Sequence, residues 1–195
     1  MGHSQADKAQ NRERIIVAAA KQIREGGLDS LSIGELMKSV NLTHGGFYGH
    51  FPSRSALIAA ALDRALEDGE VASLTVTGSK GPRTLKAVAN SYLSPFHRDH
   101  IAEGCAVSAL ANDVARADDE VRDIMQTRLE RFFAGAAELL GDDDAARAEA
   151  IRAWCLMVGG VALARVFKGD PTSDEILQEA RKAVLEIEAA RARER

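Results

Sequence analysis

An all-α fold is what this sequence predicts, and three observations predict it. Apolar residues recur at three- and four-residue spacing along most of the 195 residues, the period of an amphipathic helix. No stretch alternates apolar and polar side chains as a half-buried strand would. Gly, Asn, Asp, Ser and Thr fall between the periodic runs, where helix ends need them. The expected architecture is an N-terminal three-helix unit joined to a larger helical bundle, about nine helices together.

The first helix spans residues near 8 to 25, with Ile15, Ala19 and Ile23 on one stripe and Gly26-Gly27 as its stop. Ser32 and Glu35 have the spacing of a capping box. Ile33, Leu36, Met37 and Val40 continue from them as one apolar stripe. Asn41 tolerates the left-handed turn that ends a helix, and Thr43 is a good N-cap for a new one. Phe47 and Phe51 then lie four apart on an inner face, and Pro52 stops the run. A short helix, a tight polar turn and a second short helix make a helix-turn-helix, whose second member places its N-terminal residues against DNA bases. Ser53 caps a third run, near 53 to 72, with Leu57, Ala61 and Ala65 beside Ile58, Leu62 and Leu66.

Residues 76 to 82, Val-Thr-Gly-Ser-Lys-Gly-Pro, read as a loop. A helix is expected near 83 to 97, a loop at 98 to 104, and a short helix opened by Cys105 and ending near Arg116. Asp118 caps a helix to Leu140, which Gly141 ends, and Asp142 or Asp143 caps the next, near 144 to 168. Gly159-Gly160 inside that helix implies that another helix comes close. Thr172 and Glu175 have the spacing of a second capping box. Ile176, Leu177, Ala180, Ala183, Val184 and Ile187 follow on the last helix, and the final Ala-Arg-Ala-Arg-Glu-Arg is expected to fray.

Composition narrows the function classes. Net charge is −4, which argues against indiscriminate coating of nucleic acid. Within residues 1 to 69, eight Lys/Arg face eight Asp/Glu. That neutral balance is the main sequence argument against a DNA reader, although Lys8, Arg12, Arg14 and Arg54 can cluster locally. Cys105 and Cys155 lack metal-site spacing and suit a cytoplasmic, reducing setting. No nucleophile-base pair, phosphate loop or metal constellation points to an enzyme, a metal site or a cofactor. No run is long enough to span a membrane, and the polar N-terminus is unlike a signal peptide.

The run Leu42-Thr43-His44-Gly45-Gly46-Phe47-Tyr48-Gly49-His50-Phe51-Pro52-Ser53-Arg54-Ser55-Ala56-Leu57 resembles the signature of TetR/AcrR-type transcriptional regulators, as does Gly27 to Leu36 before it. The resemblance covers roughly residues 10 to 66. It implies a homodimeric, ligand-responsive, DNA-binding regulator, in the usual case a repressor that a small molecule releases from a palindromic double-stranded operator. Thr43, Tyr48, His50 and Arg54 would touch phosphates, His44, Gly45 and Gly46 would lie against bases, and Ser32 completes the DNA-facing set. The chain departs from the family at Gly46 and Gly49, where larger residues are common. Direct base readout is therefore expected to be thin and shape readout more important.

The resemblance further implies a helix-turn-helix domain at 8–52, a connecting helix at 53–74 and a dimerisation and effector domain at 75–192, with the last two helices pairing the subunits. An effector pocket would draw on Tyr92, Phe96, Cys105, Met125, Phe132 and Trp154. Some regulators of this type sense electrophiles through a cysteine placed like Cys105, so an electrophilic effector joins the expectation. The alternative is a helical protein-interaction module that has lost DNA binding.

Overall fold

A computed structural model describes residues 5–76, 84–141 and 143–194. Residues 77 to 82 of the expected loop, and Asp142, lie outside the described residues. Within them the chain is all-α, with nine α-helices and three short 3-10 turns.

Helix α1 (Gln5–Gly26) buries Ile15, Ile16, Ala19, Ala20, Ile23 and the side chain of Arg24. It ends at Gly27, whose φ of 84° suits a residue without Cβ. Helix α2 (Ile33–Ser39) ends where Asn41 takes φ 58°. A 3-10 turn (His44–Gly49) follows, and then the long α3 (Arg54–Val76). The Ser53 hydroxyl accepts from the Ala56 N–H at 3.0 Å, capping α3 as expected.

Two apolar clusters organise the rest. One joins α1, α2, the 3-10 turn and α3 to α6 (Ala106–Val114) and the start of α7 (Asp119–Leu140), through Phe47, Phe51, Leu62, Leu110 and Val121 among others. The other joins α4 (Leu85–Tyr92), the end of α7, α8 (Asp144–Val166) and α9 (Thr172–Glu194), around Leu93, Leu140, Met157, Val161 and Val184. The first cluster therefore runs from the N-terminal helices directly into the C-terminal bundle.

Several local expectations need correction. Ser32 is the N-cap of α2, but its side chain makes no capping bond. The first turn closes instead through the Leu36 N–H on the Ser32 carbonyl at 2.9 Å, and buried Leu36 and Met37 hold this short helix. Thr43 likewise precedes its turn without a side-chain cap. The helix expected at 83 to 97 is broken at Leu93. Ser94 and Pro95 start the short α5 (Pro95–Asp99), with the Ser94 hydroxyl accepting from the His97 N–H at 3.2 Å. Pro95 has no N–H to give an ongoing helix and restricts the residue before it. At α9 Thr172 is already helical, and the Asp170 carboxylate accepts its N–H at 2.8 Å. Hydrogen bonds from the Thr172 side chain and then from its N–H hold the Asp170 carboxyl below the usual range. The C-terminal helix continues to Glu194. Arg191 secures it by donating to the Leu140 carbonyl at 3.2 Å and pairing with Asp143 at 2.6 Å.

Asp118 and Asp143 accept from Val121 and Ala146 N–H groups, as N-caps should, and Gly141 ends α7 with φ 136°. The glycine pair of α8 divides its roles. A Cβ on Gly160 would stand 2.8 Å from the Ala180 Cβ and 3.0 Å from the Leu93 Cδ2, so α9 and α8 touch there, while Gly159 faces open space.

Candidate nucleic-acid interface and effector cavity

The helix-turn-helix is built from its inside outward. Phe47 and Phe51 are fully buried and stack at 5.8 Å between ring centroids. Phe47 meets Tyr48 edge-on at 5.2 Å. Arg14 of α1 donates to the Val40 carbonyl at 2.6 Å, tying the first helix to the end of α2. The Arg12 guanidinium lies 4.9 Å over the Phe51 ring, a cation–π contact beside the turn.

Outward from this scaffold stand Thr43, His44, Gly45, Tyr48 and Gly49, all exposed, with Gly46 and His50 half-buried and Ser32 exposed at the start of α2. Tyr48 is 67% exposed and is the largest side chain of the turn to project this way. Added Cβ atoms at Gly45 and Gly49 would meet nothing within 4 Å. The second helix expected here is wound as a 3-10 turn, closed by Gly46 N–H on Thr43 and His50 N–H on Phe47 carbonyls. Three glycines in six residues weaken α-helix formation, which explains the departure.

Arg54, expected at a phosphate, has two of its guanidinium nitrogens bonded within the protein. Its guanidinium is turned into the protein, donating to the Leu28, Asp29 and Leu31 carbonyls at 3.0, 3.2 and 3.1 Å. It fastens the start of α3 to the 3-10 turn (Leu28–Ser30) and Leu31 before α2.

The C-terminal bundle encloses a cavity of about 390 Å³. Tyr92, Phe96, Cys105, Phe132 and Trp154, named from sequence, all line it. Met125 does not: it is buried in the first apolar cluster, because α7 turns from one cluster to the other along its length. Phe132 stacks on Trp154 at 4.9 Å, and Tyr92 meets Trp154 edge-on at 5.7 Å. The indole N–H donates to the Phe132 carbonyl at 3.2 Å, fixing the ring.

His97 organises the wall beside Cys105. Its Nδ1 lies 2.7 Å from the Tyr92 carbonyl, and its Nε2 accepts the Cys105 N–H at 2.9 Å. This pair of bonds requires a neutral ring protonated on Nδ1. Burial lowers its pKa to about 4. Both nitrogens are occupied, and no cluster of metal-ligating side chains occurs among the described residues. Burial also holds the Tyr92 phenol well above its ordinary pKa. Its hydroxyl, near Cys105 and Ser108, makes no well-formed hydrogen bond.

Arg24 is the residue that sequence reading passed over. Only 7% exposed, it donates to the Ala102 carbonyl before α6, to the Ala65 carbonyl of α3, and pairs with Asp68 at 3.3 Å. Its position four after Ala20, on the buried side of α1, was the available signal. Gly104 and Cys105, the next residues after this tethered segment, line the cavity.

Comparisons with known proteins agree with this geometry. Residues 15–61 match the family described as bacterial regulatory proteins, tetR family. An uncharacterised HTH-type transcriptional regulator of Mycobacterium tuberculosis strain H37Rv is 27% identical over 186 residues, covering 89% of this chain and 94% of its own. The uncharacterised HTH-type transcriptional regulator YvdT of Bacillus subtilis is 41% identical over 54 residues, 28% of each chain. Among solved structures, a TetR-family regulator from Cytophaga hutchinsonii matches with a TM-score of 0.78 at 19% identity, over 95% of this chain and 98% of that one. The reduced form of NemR from E. coli matches with a TM-score of 0.74 at 18% identity, over 90% and 95%.

Proposed function

We propose that this chain, a TetR-family regulator by its helix-turn-helix domain and its fold, is a homodimeric repressor that leaves a palindromic DNA operator when a small molecule fills the cavity. Its relatives are regulators, not enzymes. The observation that carries the reading is the turn His44–Gly49, which rests on buried Phe47 and Phe51 and presents Tyr48 between two open glycines. Residues 8–52 read DNA, 53–74 act as the connecting lever, and 75–192 dimerise and receive the effector.

Pairing of two readers rests on α8 and α9. Cys155, Gly159, Leu163 and Val166 follow at helical spacing along an outer strip of α8, with Leu163 55% and Val166 78% exposed. Phe167 continues the strip at 42%. An isologous contact here would bury apolar surface that a lone chain leaves in water.

Effector binding acts by favouring one reader spacing over another. Arg24 supplies a route, since it bonds the DNA-side α1 to the segment leading into the cavity wall. An electrophilic effector would meet the half-buried Cys105 thiol on that wall. Rapid alkylation of Cys105, with loss of response in Cys105→Ser, supports such an effector. An unreactive Cys105 with a normal serine variant removes it.

Binding to the DNA upstream of the chain's own gene tests the main reading. Affinity should fall steeply with salt and exceed that for scrambled sequence. A flat salt dependence with no sequence preference would favour the interaction-module alternative.

A further inference from the structure

The lining of the cavity says what kind of molecule it accepts, and the argument rests on reading that cavity as the effector site. A free charge on the wall would demand an opposite charge on the ligand. The wall's carboxylates and its guanidinium are all paired. Glu70 is paired with Arg128 at 2.8 Å and with Arg131, the wall's guanidinium, at 3.1 Å. Glu103 lies 3.5 Å from Lys21. His97 is held neutral by two hydrogen bonds, and the Trp154 N–H is already donated.

What is left is mainly aromatic surface, with one buried polar group that lacks a well-formed hydrogen bond. Phe132 and Trp154 are stacked with their planes 13° apart, and Tyr92 stands edge-on to the indole. Such an arrangement suits a further flat ring by edge or offset contact. The Tyr92 hydroxyl is buried without a well-formed hydrogen bond, a state that costs free energy until a partner arrives. It stands near Cys105, itself on the cavity wall.

We propose that the cavity selects a neutral, flat aromatic molecule of about two fused rings carrying a single hydroxyl or carbonyl oxygen, which hydrogen-bonds the Tyr92 hydroxyl while the rings lie against Trp154 and Phe132. An anionic analogue would have to break the Glu70–Arg131 pair to gain the guanidinium of the wall. A cationic one would find both wall carboxylates already matched.

Calorimetric titration of the full-length protein with 2-naphthol, 2-naphthoate and 2-naphthylmethylammonium tests this. 2-Naphthol should bind at least about tenfold more tightly than either ion, the factor that 1.4 kcal/mol represents. Tyr92→Phe should weaken 2-naphthol about fivefold, the scale of one net hydrogen bond. Gly135→Leu gives a second variant with little folding risk. Gly135 is a helical residue of the cavity wall whose added Cβ would meet nothing within 4 Å, so leucine fills the space and should abolish binding. Equal or tighter binding of an ion, no binding of 2-naphthol, or unchanged binding in Gly135→Leu overturns the proposal. If 2-naphthol binds in the expected order but leaves operator affinity unchanged, the ligand class stands and the effector reading fails.

Discussion

Single side chains divide here into those that face DNA and those that hold other groups in place. Tyr48 belongs to the first kind: it is exposed and rests edge-on against Phe47. Tyr48→Ala should weaken binding to every operator by a similar factor, about tenfold or less, with an unchanged melting temperature. A loss confined to one base change would make it a base reader instead. His97 belongs to the second kind, and its titration has a definite sign. Its pKa falls from 6.5 unfolded to about 4 folded because burial disfavours the charged ring. Its share of stability is therefore complete above pH 6.5 and declines as pH falls toward 4, by up to roughly 3 kcal/mol. Subtracting the stability-against-pH curve of His97→Gln from that of wild type should isolate this slope, and a flat difference would contradict it. Arg54 is expected at a phosphate from its place in the motif, and its Nε and Nη2 also bond three carbonyls. Sequence position could not separate these uses, because both need the same cation at the start of α3.

Helices were legible wherever period and punctuation agreed. The stripe of α1, the αL stop at Asn41, the caps at Asp118 and Asp143 and the stop at Gly141 all depend on local backbone chemistry. The failures have local causes too. Pro95 divides an apolar run that looks continuous, and glycines tighten the reading turn. Ser32 and Thr172 have capping-box spacing without its bonds, since spacing does not fix where the first helical residue falls. The contact of α8 with α9 offers an element-scale prediction. Gly160→Ala should cost about 1–3 kcal/mol through overpacking against Ala180 and Leu93. Gly135→Ala, in open space on α7, should raise stability by up to about 1 kcal/mol. Equal melting shifts for the two would contradict the close crossing.

At the scale of the whole molecule, continuity between the two halves matters most. The N-terminal helices share a core with α6 and the start of α7, and Arg24 adds polar tethers across the same junction. Arg24→Met should keep 2-naphthol binding while reducing the effect of that ligand on operator affinity. Full ligand-driven release in this variant would place the coupling elsewhere. Leu163→Glu should yield a monomer in sedimentation at micromolar concentration with unchanged helicity, because a charge would sit in the proposed subunit contact. A persistent dimer would move that contact away from α8.

The sequence by itself determined the helical class, most element limits and the scaffold of the reading turn, because helix periodicity, proline and glycine stops and buried aromatic spacing act over a few residues. It also brought together five cavity residues through resemblance, without distinguishing wall from core. Only the tertiary structure decided that Met125 packs in the other cluster, that Arg54 and Arg24 bind carbonyls, and that both His97 nitrogens are taken. Those outcomes depend on which distant backbone groups come within hydrogen-bond reach, and no local pattern encodes a partner 78 residues away, as Ala102 is from Arg24.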